Sequence, residues 1–420
     1  MGVQLQNSRS RPIYRRKGDL ALQLNIFDAS LLKGKRVLLR VDCNVPLSKD
    51  GHITDDTRIR AHIPTIQKLL EAGAEIALIS HLGRPKGEVV SKYSLRPLVE
   101  PLQDLLSQKV LFCEDCVGKQ VEKCMETRKG QEIVLLENLR FHPEEEKNDP
   151  SFAKTLAEPF DFFVMDAFSA SHRAHASTEG ITAFLPSFAG LLLAREVEFL
   201  SQVRDHPQSP FVLILGGAKV SDKIGVIEHL IDKVQTILVG GGMAFTFFAA
   251  QGLSVGASLC EREKIPFVQD MMEKAKEKGV EILLPQDILG GLSPQAETGE
   301  IIYPDTMPED LMGLDIGPKT IQTFREKISQ ASTVLWNGPM GVFENPLFAE
   351  GTKAVGIALK EVTEKRGAVT VVGGGDSASA MNVFHLTQEV THVSTGGGAS
   401  LEFFEGKALP GIAPFVKKES

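Results

Sequence analysis

Apolar residues in the first half of the chain come in short continuous runs, "RVLLRV" at 36–41, "EIALIS" at 75–80, "EIVLLE" at 132–137 and "DFFVMD" at 161–166. Between them, segments such as 58–72 and 95–107 carry helical spacing. Runs of that kind predict strands buried on both faces, with helices packed against them. The alternation resumes after residue 210 in "FVLILG", "TILVGG", "VEILLP", "TVLWNG" and "VTVVGG". The pattern predicts an α/β protein with two Rossmann-like parallel-sheet lobes, although the halves show no sequence repeat that aligns. Between the halves, "PSFAGLLLAREVEFLSQVRDHPQSP" at 186–210 is one long helical pattern bracketed by prolines and opening near Gly190. It predicts a hinge helix, and lobes joined by a single helix commonly move about the cleft between them.

A length of 420 residues fits two such lobes better than one core. Hydrophobic residues make up 42% and charged residues 24%, a globular composition, and no apolar stretch is long enough to cross a membrane. The net charge of −8 argues against a nucleic-acid partner, so any anionic ligand must meet a local basic site. The five cysteines are an odd and sparse set with no signal-peptide pattern ahead of them, which predicts a reducing compartment. "CEDC" at 113–116 has metal-like or redox-like spacing but no second pair, and reads as packing. The opening "MGVQLQNSRSRPIYRRKGDLALQL" is basic, with the charge of a transit peptide but no clear amphipathic pattern, and reads as an extension. The expected location is the cytoplasm, with an organelle as the alternative if residues 1–25 act as a leader.

Ligands of open α/β sheets bind beyond the carboxyl ends of the strands, so the residues just after each run carry the chemistry. In the first half these are "DCNVP", "SHLGRP", "ENLRF" and "DAFSASHRAHAS", which bring Arg84, Arg140 and Arg173, with His81, His172 and His175 beside them. Arg58, after "ITDDT", can join them. Arginine's planar fork suits carboxylate and phosphate oxygens, so arginines on successive loops predict a small, highly anionic ligand; each histidine reads equally well as a turn residue or a ligand contact. In the second half the strand ends carry glycines: "GGAK" (216–219), "GGGMAF" (240–245), "WNGPMGVFE" (336–344), "GGGDSAS" (373–379) and "STGGGAS" (394–400). Glycine lets a backbone approach a ligand and turn into a helix whose first amides face it, so this half reads as a nucleotide site. Lys219 and Lys223 supply cations to its phosphates, and Asp376 stands where a carboxylate could hold Mg2+ bridging them.

"RVLLRVDCNVP", "SHLGRP", "LLENLRF", "SHRAHAS", "LGGAKVSDKI", "GGGMAFTF", "GLDIGPKT", "WNGPMGVFE", "GGGDS" and "STGGGASLE", in that order, resemble the phosphoglycerate kinase family from about residue 26 to about 412. The resemblance implies reversible phosphoryl transfer from 1,3-bisphosphoglycerate to ADP, giving 3-phosphoglycerate and ATP. It implies a phosphoglycerate site at Asp42, Asn44, Arg58, His81, Leu82, Gly83, Arg84, Arg140 and Arg173. The ADP or ATP site would comprise Lys219, Lys223, Gly313, Asn337, Glu344, Gly373, Gly374, Gly375, Asp376 and Ser377, with Glu344 at the ribose and Asp376 on Mg2+. Residues 26–189 would form the phosphoglycerate lobe and 190–405 the nucleotide lobe, with 406–420 returning to the first. "DAFSAS" departs from the family pattern, since Ser169 stands where the family has glycine.

Such a transfer needs positioning and electrostatics rather than a protein nucleophile, and no nucleophile–base pair is evident. Arg58 and Lys219, with the amides of Gly375 and Gly398, are the expected catalytic groups. The expected partners are small molecules, with no nucleic acid and no membrane, and the expected state is a monomer. A nicotinamide dehydrogenase would need G-x-G-x-x-G opening a helix with an acid about 20 residues on, and no such unit is found. A nucleotide-sensing module would not need the arginines of the other half.

Overall fold

A computed structural model of the chain describes residues 22–48, 50 and 52–417; the basic opening up to residue 21 lies outside the described residues. The first lobe holds β1 (Arg36–Arg40), β2 (Glu75–Ile79), β3 (Val110–Cys113), β4 (Ile133–Leu136), β5 (Phe162–Met165) and β6 (Ser187–Ala189). They form one sheet in the order β3-β4-β2-β1-β5-β6, every pairing parallel. β3 and β6 were not foreseen. "VLFC" is four residues long at the sheet edge, with only its end residues buried, so its apolar signal is weak.

The second lobe begins with β7 (Phe211–Leu215), β8 (Thr236–Val239) and β9 (Glu281–Leu283). Next come β10 (Ile288–Gly291), β11 (Glu300–Ile302) and β12 (Met312–Ile316), then β13 (Thr333–Asn337), β14 (Val369–Gly373) and β15 (His392–Val393). Six of these build a parallel sheet in the order β15-β14-β13-β7-β8-β9. β7, β8 and β13 are buried along their whole length, which is why they read as unbroken apolar runs. β10, β11 and β12 make a separate antiparallel sheet that the parallel pattern did not predict.

Helices follow the apolar spacing. In Thr57–Glu71 the buried positions Ile59, His62, Ile66, Leu69 and Leu70 form one stripe. The segment expected as a helix over 95–107 splits into a 3-10 turn, Arg96–Leu98, and a helix, Val99–Leu106, that ends at Ser107 with φ of 51°. The hinge helix is Leu191–Asp205. Its N-terminus is held by the first lobe, where Asp166 accepts from the backbone N–H of Leu192 at 2.9 Å and from Thr65 Oγ1 at 2.9 Å. Its middle is held by the second lobe, where the buried Glu196 accepts from Thr395 N–H at 2.7 Å and pairs with His392 Nε2 at 2.7 Å. Near the C-terminus the chain lies on the first lobe: Asn25 N–H donates to Phe415 O at 2.7 Å, and the Phe415 ring packs 6.4 Å from that of Phe163. Among the described residues no helix is long and apolar enough to cross a membrane.

Candidate active site

The carboxyl ends of the first sheet open on a cavity of about 380 Å³. Asp42, Asn44, Arg58, His81, Gly83, Arg84, Arg140 and Arg173 all line it. Leu82 does not: its side chain is buried in the core, and its carbonyl accepts from Asn138 Nδ2 at 2.8 Å. The cavity also contains Arg40, which the sequence reading passed over as part of a strand. Its one signal was a charge closing an apolar run, and the structure buries it to 1% exposure, with Nε donating to Ser177 Oγ at 3.1 Å.

The side chains around this cavity hold one another in place. Arg58 Nη1 donates to Asp42 Oδ2 and to Asn44 O, each at 3.1 Å. Asn44 Oδ1 accepts from Gly83 N–H at 2.9 Å, and Gly83 O accepts from Arg140 Nη1 at 2.8 Å. Ser169 Oγ donates to Asp42 Oδ2 at 2.5 Å, so the departure from the family glycine adds a hydroxyl to the carboxylate that Arg58 contacts. Behind them, the Asp42 backbone N–H donates to His62 Nε2 at 2.8 Å, and His62 Nδ1 lies 2.7 Å from Asp166, the carboxylate at the start of the hinge helix. The anion cavity and the hinge thus share a buried hydrogen-bond chain.

Electrostatics leave this cavity positive. Arg40 Nη2 donates to His81 Nδ1 at 3.0 Å, which requires a neutral ring, and burial followed by the Arg40 charge pushes His81 well below its usual range. His175 falls to about 3 through burial and the charges of Arg140 and Arg40. Burial would raise Asp42, but the Arg58 charge, the Ser169 hydroxyl and the Asn44 N–H hold it below the usual carboxylate range. In the coupled pair of His81 and Asp42 the carboxylate carries the charge and the ring is neutral. Five arginines therefore stand around a cavity whose histidines are uncharged, a field suited to a ligand with several negative charges.

The opposite wall of the same cavity is Gly396, Gly397 and Gly398, from the second lobe. Gly398 opens the helix Gly398–Phe404, and Gly375 opens the helix Gly375–Val383. A Cβ placed on Gly375, Gly397 or Gly398 would meet no atom within 4 Å, so the space beside these helix-opening glycines is open. Other glycines of the recurrent motifs do something different. A Cβ on Gly216 would lie 2.2 Å from Pro339 O and one on Gly338 2.2 Å from Gly216 O, so these glycines let two neighbouring strand-end turns touch. The expectation that all five glycine runs face a ligand is corrected to this extent.

A second cavity, about 230 Å³ and largely apolar, lies beside these loops. Gly313, Glu344 and Asp376 of the expected nucleotide set line it, with Phe245, Leu259, Met312 and Val342 among the apolar walls. A Cβ on Gly313 would lie 1.9 Å from the Phe245 ring, so Gly313 keeps that ring in place. Lys219 is exposed. Lys223 is buried, donates to Asn337 Oδ1 at 2.5 Å, and has its ammonium pKa lowered by burial against the pull of Asp222 and Asp376. Asn337 Nδ2 is buried without a hydrogen-bond partner beside Gly373 and Gly374, a donor aimed at the loop. Ser377 Oγ accepts from Gly338 N–H at 2.6 Å and so supports the loop from behind. Asp315 was not foreseen: it lines this cavity, and burial raises it to about 7 against hydrogen bonds from Gly351 and Ile316.

The family model for phosphoglycerate kinase matches residues 26–407. A phosphoglycerate kinase of Chloroherpeton thalassium is 54% identical over 382 residues, covering 90% of this chain and 96% of that protein. A cytosolic phosphoglycerate kinase of Triticum aestivum is 53% identical over 91% of this chain and 95% of that protein, and a chloroplastic one of Volvox carteri 51% identical over 92% and 84%. The solved structure of phosphoglycerate kinase from Coxiella burnetii superposes with a TM-score of 0.80 at 43% identity, covering 92% of this chain and 96% of that one. With both lobes and both cavities inside the matched span, the chain belongs to the phosphoglycerate kinase family.

Proposed function

We propose that the arginine-lined cavity binds the phosphoglycerate and the neighbouring apolar cavity binds the adenine nucleotide of the family's reaction. The observation that carries this reading is that one cavity brings five arginines of the first lobe face to face with the glycine turn Gly396–Gly398 of the second. A terminal oxygen of ADP attacks the phosphorus of the acyl phosphate of 1,3-bisphosphoglycerate, and the bond from phosphorus to the carboxyl oxygen breaks. The products are ATP and the carboxylate of 3-phosphoglycerate. Arg140 and Arg173 orient the phosphoglycerate through its charged oxygens. Arg58, Lys219 and the amides of Gly375 and Gly398 hold the oxygens of the transferring group, where charge develops. Gly313 and Glu344 line the side that receives the nucleoside, and Lys223, Asn337, Gly373, Gly374 and Ser377 shape the loop beneath its phosphates.

Asp376 is exposed at the mouth of the nucleotide cavity with no hydrogen-bond or ion-pair partner among the described residues, a donor that fits Mg2+, which takes one or two carboxylates together with phosphate oxygens. When bound there, the ion supplies charge neutralisation on the nucleotide phosphates. Residues 26–189 then serve phosphoglycerate and 190–405 the nucleotide, the tail from 406 tying the second lobe back to the first. Closure about the hinge helix excludes water before transfer, and the enzyme works as a cytoplasmic monomer. The test is ATP formation from 1,3-bisphosphoglycerate and ADP by purified full-length protein with magnesium, and the reverse reaction. Turnover in both directions is expected; folded protein that binds nucleotide without turnover in either direction would refute the reading in favour of a sensing module.

A further inference from the structure

The Cys113–Cys116 motif lies outside the transfer cleft, at the edge of the first sheet. β3 ends at Cys113, and a turn leads to the helix Lys119–Thr127. On this turn Asp115 and Cys116 meet His142, which follows the 3-10 turn Leu139–Phe141 after β4. A carboxylate oxygen, a sulfur and a ring nitrogen from these three residues all lie within 4.8 Å of one another. His142 Nε2 is 2.7 Å from Asp115 Oδ1, and the Cys116 backbone N–H donates to that oxygen at 2.7 Å. The His142 ring packs 5.2 Å from the Phe152 ring, which limits its rotation. Cys116 is 1% exposed, whereas the side chains of His142 and Asp115 are 29% and 39% exposed, so a buried sulfur sits beneath a rim that solvent reaches.

We propose that Asp115, Cys116 and His142 form a binding site for a divalent transition metal of the zinc class, with water as the fourth ligand. Thiolate, imidazole and carboxylate together are a donor set that zinc accepts and magnesium, which prefers oxygen alone, does not. A tetrahedral ion with bonds of about 2.0–2.3 Å needs donors about 3.3–3.8 Å apart. The separations here, 2.7 Å for His142 to Asp115 and at most 4.8 Å for the set, bracket that span, so small side-chain rotations reach it. The backbone beneath is fixed, because β3 and β4 pair in register from Val110↔Ile133 to Cys113↔Leu136. Binding releases the Cys116 thiol proton to solvent, and the proton between His142 Nε2 and Asp115 is exchanged through solvent so that the neutral ring carries its single proton on Nδ1; sulfur and Nε2 then each present a lone pair. Cys113 is engaged with Cys124 instead, so the motif contributes one sulfur to the site, and the ring ligand, His142, comes from the loop that follows β4. The site is distinct from the Mg2+ position at Asp376, yet it clamps the segment that carries Arg140 two residues before His142.

The test uses the full chain, stripped with a chelator under reducing, anaerobic conditions and titrated with Co2+. One equivalent is expected to give a near-ultraviolet sulfur-to-cobalt charge-transfer band with visible bands of tetrahedral cobalt, displaced by Zn2+. Cys116→Ser is expected to abolish the charge-transfer band. Since that residue is buried, Asp115→Asn on the exposed rim is a second variant, expected to weaken binding by about tenfold or more. Absence of the band in the natural protein, an undiminished band in Cys116→Ser, or unchanged affinity in Asp115→Asn would each overturn the site.

Discussion

Replacing Arg58 by Ala separates folding from catalysis. In the folded protein Arg58 is 36% exposed and makes two bonds, to Asp42 Oδ2 and Asn44 O, each at 3.1 Å. Asp42 itself is almost wholly buried, but after the change it keeps the Ser169 hydroxyl, and its Oδ1 still accepts from the Asn44 N–H at 2.9 Å. A partly exposed ion pair contributes at most about 1 kcal/mol, so the melting temperature is expected to fall by only about 2 °C. Ground-state binding is also largely preserved, because Arg40, Arg84, Arg140 and Arg173 remain around the cavity. A preorganised donor to a developing charge is worth far more: losing one lowers kcat by about 10²–10³-fold, equivalent to about 3–4 kcal/mol. Steady-state ATP formation against phosphoglycerate concentration, with a thermal melt of the same preparation, measures all three quantities. The expected outcome is a fall in kcat and kcat/KM together, with KM within a few-fold and the melt nearly unchanged. A rise in KM alone would make Arg58 a substrate clamp and refute the role assigned to it. A collapse of the melt would show instead that the Asp42 pair holds the lobe together.

Two glycine substitutions should part in opposite directions. Gly398→Ala places a Cβ in open space at the start of a helix, so thermal stability should hold or rise by up to about 1 kcal/mol while kcat drops by about tenfold or more. Gly338→Ala, at φ of 94° with Gly216 O 2.2 Å from the new Cβ, should cost on the order of 3 kcal/mol or more in urea unfolding; equal melts for the two would refute the distinction between open and packed glycines. Acid should weaken the free protein through the cavity histidines. His175 is held at about 3 when folded against about 6.5 unfolded, so the unfolded chain binds the extra proton and this contribution, complete above about 6.5, is lost as pH falls toward 3. Asp315, raised to about 7, works the other way and gains stability as pH drops below 7, so the informative measurement is a difference. The urea midpoint of His175→Gln should fall less between pH 6.5 and 5 than that of the natural protein, and identical slopes would count against a neutral buried His175.

Much of the architecture was legible because it rests on local apolar density. The strands that lie between helices on both faces appear as continuous runs, and the helix Thr57–Glu71 appears as a stripe, since burial there follows directly from residue type. The arginines were legible for a related reason: residues that end strands in a parallel sheet gather at one rim, so Arg84, Arg140 and Arg173 could be placed together without coordinates. β3 and the antiparallel β10–β12 sheet escaped, being short or at an edge, where pairing with a neighbour rather than composition makes the strand.

Sequence by itself determined the two parallel sheets, the helix between them and the contrast between arginines at the strand ends of the first and glycines at those of the second, because those depend on residue type and order. Tertiary structure alone decided which glycines face a ligand and which press one turn against another, since Gly216 and Gly375 look the same in one dimension and differ only in what stands within 4 Å. It decided that Arg40 turns into the anion cavity, that Leu82 turns away from it, and that Asp166 reaches both His62 and the hinge helix. It also brought His142 to Asp115, 27 positions earlier in the chain. Each of these is a contact between segments distant in sequence, fixed by how sheets and helices pack in three dimensions, and local propensity carries no record of such contacts.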